Sequence, residues 1–557
     1  MNNDKLSTKN IIINDSFVSW GLFPLFFMFS IVVFSTFCNF FYLSIGYSFF
    51  YIPLFFTITF FCFFYHKSKH KLFIFYSIIF LVAFVFISIY SNSCSYGFDY
   101  DGNWYHKFSI GVLKLGWNPI YESSFAYADY FQNIDISNTY LWADSYGKSA
   151  WQIAASIYYL TGNIETGKAY NILAMFSLFF ISFDSITNNY KLDKNKSILL
   201  AIAFTLNPVS IVQTISFGVD GFLFSMLFIL WFGLTNLYFK HKIRDSYIIV
   251  FCSFILLSNI KFTGLFFGGI FCITFYLLIT LKNRKDIFQT ILKEKFLLIY
   301  FIILAIFSIF FVGYPTYVKN FFNHGSPLWP ILGKDSIDIV SFIGPSGFKD
   351  YNGISKFIFS ILGERENLLS NSFMPTLKIP FTFYHKEFAT YAVDTTISGF
   401  GVFFSGVFII SFVLFILNFR NPKRELIITS IVCILLIVSV DVSWLARYTP
   451  YVYLFAIINI LSCLNSKINF YKILSNISLF FLLFNNFCLV NNVIEFSIGH
   501  SFTVYNELNN KKNKNLHIKV TQGDIGKIFN LSDSNITYVI DNDIKSCDFV
   551  FGICVSE

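Results

Sequence analysis

Charged side chains are scarce in this chain of 557 residues: Asp, Glu, Lys and Arg supply 13% of it and hydrophobic residues 55%, with a mean hydropathy of +0.61. A soluble globular domain rarely tolerates that balance over such a length, so the composition excludes that class and reads as a polytopic membrane protein. Cysteine is sparse too. Of the ten present, most fall in apolar runs, where a thiol is a small packing residue, and no metal cluster is indicated. Cys547 and Cys554 are the exception, close together in a polar tail where they can form a disulfide if that tail is exported. No convincing internal repeat is visible. No cleavable signal peptide is expected either, because the first apolar run, Phe17 to Phe41, is long enough to span and many others follow it.

The expected spans are 17–42, 46–65, 72–92, 167–187, 197–215, 221–239, 246–258, 263–281, 296–313, 396–417, 426–443, 448–464 and 471–492, about 13 in all. The weakest is 246–258, which is short enough to be half of a broken helix. With the N-terminus inside, about half of the 40 lysines and arginines fall in short inner connections. These include Lys67, Lys69 and Lys71; Lys240, Lys242 and Arg244; Lys282, Arg284, Lys285, Lys293 and Lys295; and Arg420, Lys423 and Arg424. Short outer connections hold almost none beyond Lys261 and Arg447. The positive-inside rule therefore predicts an N-in chain with an exported C-terminus, and the net charge of +8 needs no nucleic-acid partner to explain it.

Three long outer stretches result: 93–166, 314–395 and 493–557. Connections of this length are usually lids or binding loops, and the second holds Pro315, Pro327, Pro330, Pro345, Pro375 and Pro380 of the chain's twelve prolines. In the first, Trp104, Phe108, Val112 and Leu115 recur at helical spacing with Lys107 and Lys114 on other faces, as in a helix lying at the membrane interface. Gly116-Trp117-Asn118-Pro119 ends it, and a second helix at about 149–160 is too short to span. The tail has soluble composition, with strands at 516–520 and 536–540 and a helix near 524–529. The expected organisation is a transmembrane domain over 1–492 and a small extracytoplasmic α+β cap over 493–557, dependent on the bundle for stability.

Phe98-Asp99-Tyr100-Asp101-Gly102-Asn103-Trp104-Tyr105-His106 carries the densest chemistry. Two carboxylates one residue apart can hold a divalent cation such as Mg or Mn, or one can deprotonate a hydroxyl that the other orients. The plain alternative is a solvated loop in which Asp101 caps the following helix. His106 can donate to a phosphate or sit as a surface histidine near the headgroups. Lys148 is placed to reach a lipid phosphate or to snorkel. Asn207-Pro208 breaks or kinks the fifth span, and Asp220 caps the next helix or meets a cation. Lys261 and Arg447, held between spans at the outer level, invite an anionic partner, and the guanidinium fork suits a phosphate or pyrophosphate. Pairing of either with Asp220 or Asp441 is the structural alternative.

On these residues the chain resembles the GT-C superfamily of multi-spanning glycosyltransferases, whose donors are sugars on a polyprenyl phosphate. The Phe98–His106 segment is similar to the acid-bearing first outer loop of those enzymes, and Gly116-Trp117-Asn118-Pro119 to the short motif behind it. Lys148 resembles their lysine before the next helix, without the proline often beside it. Asn207-Pro208 with Asp220, Lys261-Phe262-Thr263-Gly264, Asn320 with His324-Gly325-Ser326-Pro327-Leu328-Trp329-Pro330, and Arg447-Tyr448 also resemble recurring bacterial features. The likeness covers about 72–465, and two spans precede the acidic loop where many members have one. It implies an all-α GT-C-like bundle in a bacterial cytoplasmic membrane and inverting transfer of a sugar from a polyprenyl-phosphate carrier to a glycan, lipid or protein acceptor on the outer face. Asp99 would act as base and Asp101 would orient the hydroxyl or hold the cation, with His106 assisting. Lys148, Lys261 and Arg447 would stabilise the leaving phosphate. Trp104, Tyr105, Glu122, Asp220, Asn320 and His324 would bind donor or acceptor, and the lipid tail would lie between spans near 314–395.

Two other readings share the location. A surface-polysaccharide polymerase or ligase would use a longer lipid-linked donor at the same kind of site. A lipid flippase or transporter would instead place ionisable groups near the midplane.

Overall fold

The computed structural model describes residues 2–65, 71–131, 134, 136–282, 294–334, 336–338, 343–367, 373–389, 395–419, 423–544 and 547–556. Lys67, Lys69, Arg284, Lys285, Lys293 and Arg420 of the expected inner connections lie outside these residues. The chain forms a helical bundle of the multi-pass membrane type with a small mixed sheet near its C-terminus. Helices α1 (Asn2–Phe40), α2 (Ser48–Phe64) and α3 (Lys71–Ser93) precede a loop region containing α4 (Lys107–Leu115), α5 (Ser137–Ser145) and α6 (Ser149–Thr161). The chain continues through α7 (Ala169–Asn189), α8 (Lys194–Thr205), α9 (Pro208–Gln213), α10 (Asp220–Phe239), α11 (Ile243–Ser258) and α12 (Phe262–Leu281). α10 is the axis: it is buried from Asp220 to Tyr238 and packs against α7, α11 and α12.

Seven helices among the described residues are long and apolar enough to cross a membrane, not about 13. They are Phe17–Phe40, Ile74–Ser93, Ile164–Asn189, Asp220–Phe239, Phe262–Leu281, Lys295–Val312 and Asn469–Asn510. The other six expected spans also fall on helices, but short ones. α2 has 17 residues, α8 has 12, α11 has 16, and Phe404–Leu417, Arg424–Ser439 and Pro450–Cys463 have 14, 16 and 14. A hydrocarbon core about 30 Å thick asks for about 20 residues at 1.5 Å each.

Local chemistry explains the shortening. α8 stops because Asn207 opens a new turn, accepting the Ser210 amide at 2.9 Å, and Pro208 has no amide to continue the old one. Phe404–Leu417 starts late because Asn485 holds the preceding backbone irregular, accepting from the Phe403 amide and donating to the Phe400 carbonyl. α11, the weakest expectation, ends at Asn259, whose side-chain amide donates to the Ile255 and Ser308 carbonyls.

The long helix Asn469–Asn510 runs unbroken through the expected boundary at 492. Beyond it, β3 (Asn515–Lys519), β4 (Thr537–Ile540), β5 (Asp548–Val550) and β6 (Ile553–Ser556) form a sheet in the order β4-β3-β6-β5, after β1 (Glu366–Asn367) and β2 (Thr395–Ile397) have paired within the second loop. β3 and β4 are parallel, joined through the helix Lys527–Asp533, and the Cys547–Cys554 disulfide closes the antiparallel β5–β6 hairpin.

This cap covers α4, which the sequence places at the membrane interface. Phe108, Ile110, Val112 and Leu113 are buried against α6 and the cap, and so is Lys107. Gly111 has no alternative, because a Cβ there would occupy the Phe529 ring of the cap. An amphipathic pattern shows that a face is covered, not what covers it.

Candidate active site

After α3 the ring of Phe98 enters an apolar cluster with Leu206, Ile211, Val212 and Leu489. Asp99 follows, and its carboxylate turns back on its own chain. Oδ2 accepts the Gly102 amide at 2.7 Å and the Asp99 carbonyl accepts the Asn103 amide at 3.0 Å, which starts the tight turn Gly102–His106. Only glycine fits at 102, since a Cβ would overlap the Asp99 carboxyl group. Asp99 is buried, whereas Asp101 keeps 29% of its side chain exposed and meets Arg447, with Nη1 3.3 Å from Oδ2. The alternative pairing of Arg447 with Asp441 does not form: Asp441 pairs with Lys356 at 2.9 Å.

Arg447 also donates to the Tyr448 hydroxyl at 2.9 Å. Across the Tyr448 ring, 4.8 Å from its centre, stands the Lys261 ammonium, ion-paired with Asp220 at the start of α10. Gln213 donates to the other Asp220 oxygen at 3.3 Å. Burial works against the Lys261 charge, but Asp220 outweighs it and holds the ammonium proton more tightly than usual. His106 is buried one turn beyond Gly102 and accepts from Trp151 Nε1 through Nδ1 at 2.8 Å. Burial, and then Lys261 and Arg447, push its proton affinity well below the ordinary histidine range. It is therefore a neutral imidazole with its proton on Nε2. The Tyr105 ring packs against it at a tilt, with ring centres 4.3 Å apart.

Arg447 shares a narrow cleft with a residue that the sequence reading did not single out, Arg365. Arg365 and Arg447 are both buried, at 3% and 8% exposure, and the walls come from Val209 and Val212 of α9 and Thr395 of β2. The cleft measures about 20 Å³, room for one water-sized group. Arg365 is fixed through its amide, which donates to Glu387 at 2.9 Å, and Glu387 in turn pairs with buried Lys378 at 2.5 Å. The only hint in sequence is the charge run Glu364-Arg365-Glu366 inside a proline-punctuated loop.

The remaining candidates meet elsewhere. Lys148 donates to the carbonyls of Asp144, at 3.0 Å, and Tyr146; Asn320 donates to the Ser145 carbonyl at 3.1 Å. Both brace the segment that brings the Tyr146 ring 5.9 Å from Lys261. Glu122 accepts the Asn118 amide at 3.2 Å, His324 lies exposed and stacked on Trp329, and Trp104 donates to Thr139 at 2.7 Å. Burial pulls the Lys148 ammonium down to about 7. An unfolded lysine keeps its proton to about 10.4, so between these values the unfolded chain binds more protons and stability rises with pH. Thermal unfolding from about pH 7 to about pH 10 should show that rise, and Lys148→Met should make it shallower, leaving the part that Lys107 contributes. An equal rise in the variant would contradict the assignment.

A second cluster, equally hidden in sequence, anchors the acidic turn from beneath. Glu165 accepts from Lys107 and Lys168, both at 2.6 Å, and all three side chains are fully buried. Gly97 donates its amide to Glu165 at 3.0 Å, and Asn530 of the cap bridges Lys107 and Glu165 at 2.9 and 2.8 Å. The Gly526 amide of the cap donates to the Asn103 carbonyl at 2.7 Å. Two charges at the onset of the apolar run of α7 are the trace this cluster leaves in sequence.

Asp99 and Asp101, the two carboxylates of the acidic turn, have different partners in the structure. One is turned to the Gly102 amide and the other to Arg447, and no group of three or more His, Cys, Asp or Glu residues with metal-site geometry occurs among the described residues. What the site offers instead is a part-exposed carboxylate beside a cluster of cations at one end of an apolar bundle. No family model matches the chain and no curated protein matches it, so these residues alone carry the functional reading.

Proposed function

We propose that this protein is an inverting glycosyltransferase of the GT-C kind that moves a sugar from a polyprenyl-phosphate carrier to an acceptor hydroxyl at the outer face of a bacterial cytoplasmic membrane. The observation that carries the reading is the meeting of Asp101 with Arg447, beside Arg365 and across Tyr448 from Lys261. A proton acceptor and an anion cradle side by side are what displacement of a sugar from a phosphate needs. The lysine bias of the short connections and the Cys547–Cys554 disulfide support an exported site, since disulfides persist in oxidising compartments.

In this reading Asp101 takes the acceptor proton as the new bond to the anomeric carbon forms. The bond from that carbon to the phosphate oxygen breaks, and its electron pair leaves with the phosphate toward Arg447 and Arg365. Asp99, buried and engaged with Gly102, positions the turn. Neutral His106 keeps its Nε2 proton available for donation.

The test is transfer by the purified protein in proteoliposomes, given radiolabelled polyprenyl-phosphate sugars and a panel of glycan, lipid and peptide acceptors. Asp101→Asn should lower transfer by about 10²–10⁴-fold, and Asp99→Asn less, because an amide oxygen can still accept from Gly102. Wild-type transfer by Asp101→Asn would remove that residue from the chemistry. Movement of labelled lipid across the bilayer without transfer to any acceptor would favour a flippase.

A further inference from the structure

The helix Asn469–Asn510 is longer than a membrane needs. Its 42 residues extend about 63 Å at about 1.5 Å each. A hydrocarbon core about 30 Å thick takes about 20 of them upright and about 26 at a steep tilt of about 40°. The mostly apolar part runs from Ile473 to Val490, so the turns left over are those that follow it. They project on the side of the acidic turn, where the Phe496 ring lies 4.6 Å from Phe98 and the Ser501 hydroxyl accepts the Tyr96 amide at 3.2 Å.

The face turned away from the bundle has an order that lipid does not ask for. Phe480, Phe484, Phe487, Asn491, Ile494 and Ile498 are all exposed and follow one another at alternating steps of four and three residues. That is the a/d spacing of a coiled coil, with Asn491 at an a position. A stripe that only faces lipid turns polar where the hydrocarbon ends. Here the polar residue comes first and the apolar stripe continues past it: Ile498, Phe502 and Tyr505, on the projecting turns, are 67%, 68% and 57% exposed. A contiguous apolar face left in water marks a surface that something covers.

The pattern fits a second copy of this chain. Copies inserted in one orientation meet with parallel helices about a two-fold axis along the membrane normal, which sets each a and d residue against its own equivalent. Asn491 then faces Asn491, and each amide offers the other both a donor and an acceptor, the device that fixes register in a parallel two-stranded coil. A partner of different sequence would have to present a polar side chain at that one level. Charge does not oppose the pairing, since Glu495 is the only Asp, Glu, Lys or Arg between 480 and 505. The face, about 63 Å by about 10 Å, offers about 600 Å² per copy, so a pair buries about 1,200 Å², where specific interfaces begin. Phe496 and Ser501 hold the acidic turn on the opposite side of the helix, so the two turns of a pair point away from the contact.

We propose that this protein is a parallel homodimer joined along the exposed face of Asn469–Asn510, with Asn491 paired to its equivalent in the second copy. The dimer does not depend on the transferase reading.

The test is subunit counting by single-molecule photobleaching of the fluorescently labelled full-length protein in liposomes at a low protein-to-lipid ratio, together with cysteine cross-linking of the same preparation. Two bleaching steps are expected for the wild type and one for the double variant Ile498→Glu, Phe502→Glu, whose substituted side chains are exposed and leave the fold of each chain intact. Under a mild oxidant Asn491→Cys should give a covalent dimer several-fold above the background set by the exposed Cys62 and Cys94, and Thr503→Cys, exposed but off the stripe, should not. Ile494→Cys serves if Asn491→Cys does not fold. A single step for the wild type, with or without a different protein bound to the stripe, would overturn the proposal. So would two steps persisting in the double variant, or equal cross-linking at 491 and 503.

Discussion

Glu165→Ala should destabilise the protein by about 3–5 kcal/mol, the usual cost of removing one partner from a buried ion pair. The substitution leaves Lys107 and Lys168 buried with no carboxylate between them, and it removes the acceptor for Gly97 and Asn530. Burial already pulls the Lys107 ammonium down to about 8 while Glu165 is present. Without it, the lysines must lose protons or draw in water, and the contact between cap and acidic turn loosens. Thermal unfolding of the purified protein measures the loss, with Lys196→Ala as control. That residue pairs with Asp193 at 3.5 Å on a solvated surface, where an ion pair contributes about 0–1 kcal/mol. Comparable effects in the two variants would mean that the cluster does not hold the cap and turn together.

Arg447→Met should lower sugar transfer by about 10²–10³-fold while leaving stability nearly unchanged, the scale seen when one donor to developing negative charge is removed. Stability is spared because the Asp101 carboxylate that loses its partner is 29% exposed and can take water instead. Arg447→Lys should restore little, since an ammonium cannot reproduce a planar fork that touches Asp101 and Tyr448 together. The effect belongs in the turnover of bound donor more than in its affinity, as Arg365 and the lipid chain remain to bind. Wild-type turnover in Arg447→Met would show that the leaving group does not pass this residue.

The parts of this molecule that were legible in sequence are those written in local pattern. Asn207-Pro208 announces a helix break because proline lacks an amide and asparagine caps the next helix, and the structure breaks there. The tail's two strands and intervening helix, and the pairing of Cys547 with Cys554, come from composition and proximity. The count of crossing-capable helices was less legible. Hydropathy sees an apolar run through Phe404 but not the side chain, Asn485, that keeps its first part irregular.

Of the tertiary partners, the pairing of Lys261 with Asp220 was legible as one of the alternatives for two lone charges, and most others were not. Lys107 reads as a polar-face residue of an interfacial helix because nothing nearby in sequence reveals that Glu165 and Asn530 will enclose it. Arg365 stands far from Arg447 along the chain, next to the β1–β2 pairing in the second loop and held by Glu387. Among the twelve candidate site residues, Asp101 pairs with Arg447 and Asp220 with Lys261 as their charges require, whereas His106 enters as a neutral ring held by Trp151. Lys148 and Asn320 turn out to brace a neighbouring segment by satisfying its carbonyls.

The most direct test of the account is the structure of the protein with polyprenyl phosphate bound in a nanodisc, read for the position of the phosphorus. Density within hydrogen-bonding reach of the Arg447 and Arg365 guanidinium groups, next to Asp101, is the predicted result. Phosphorus density at the opposite end of the bundle, or at the cluster of Asp184, His241 and Lys242, would contradict it.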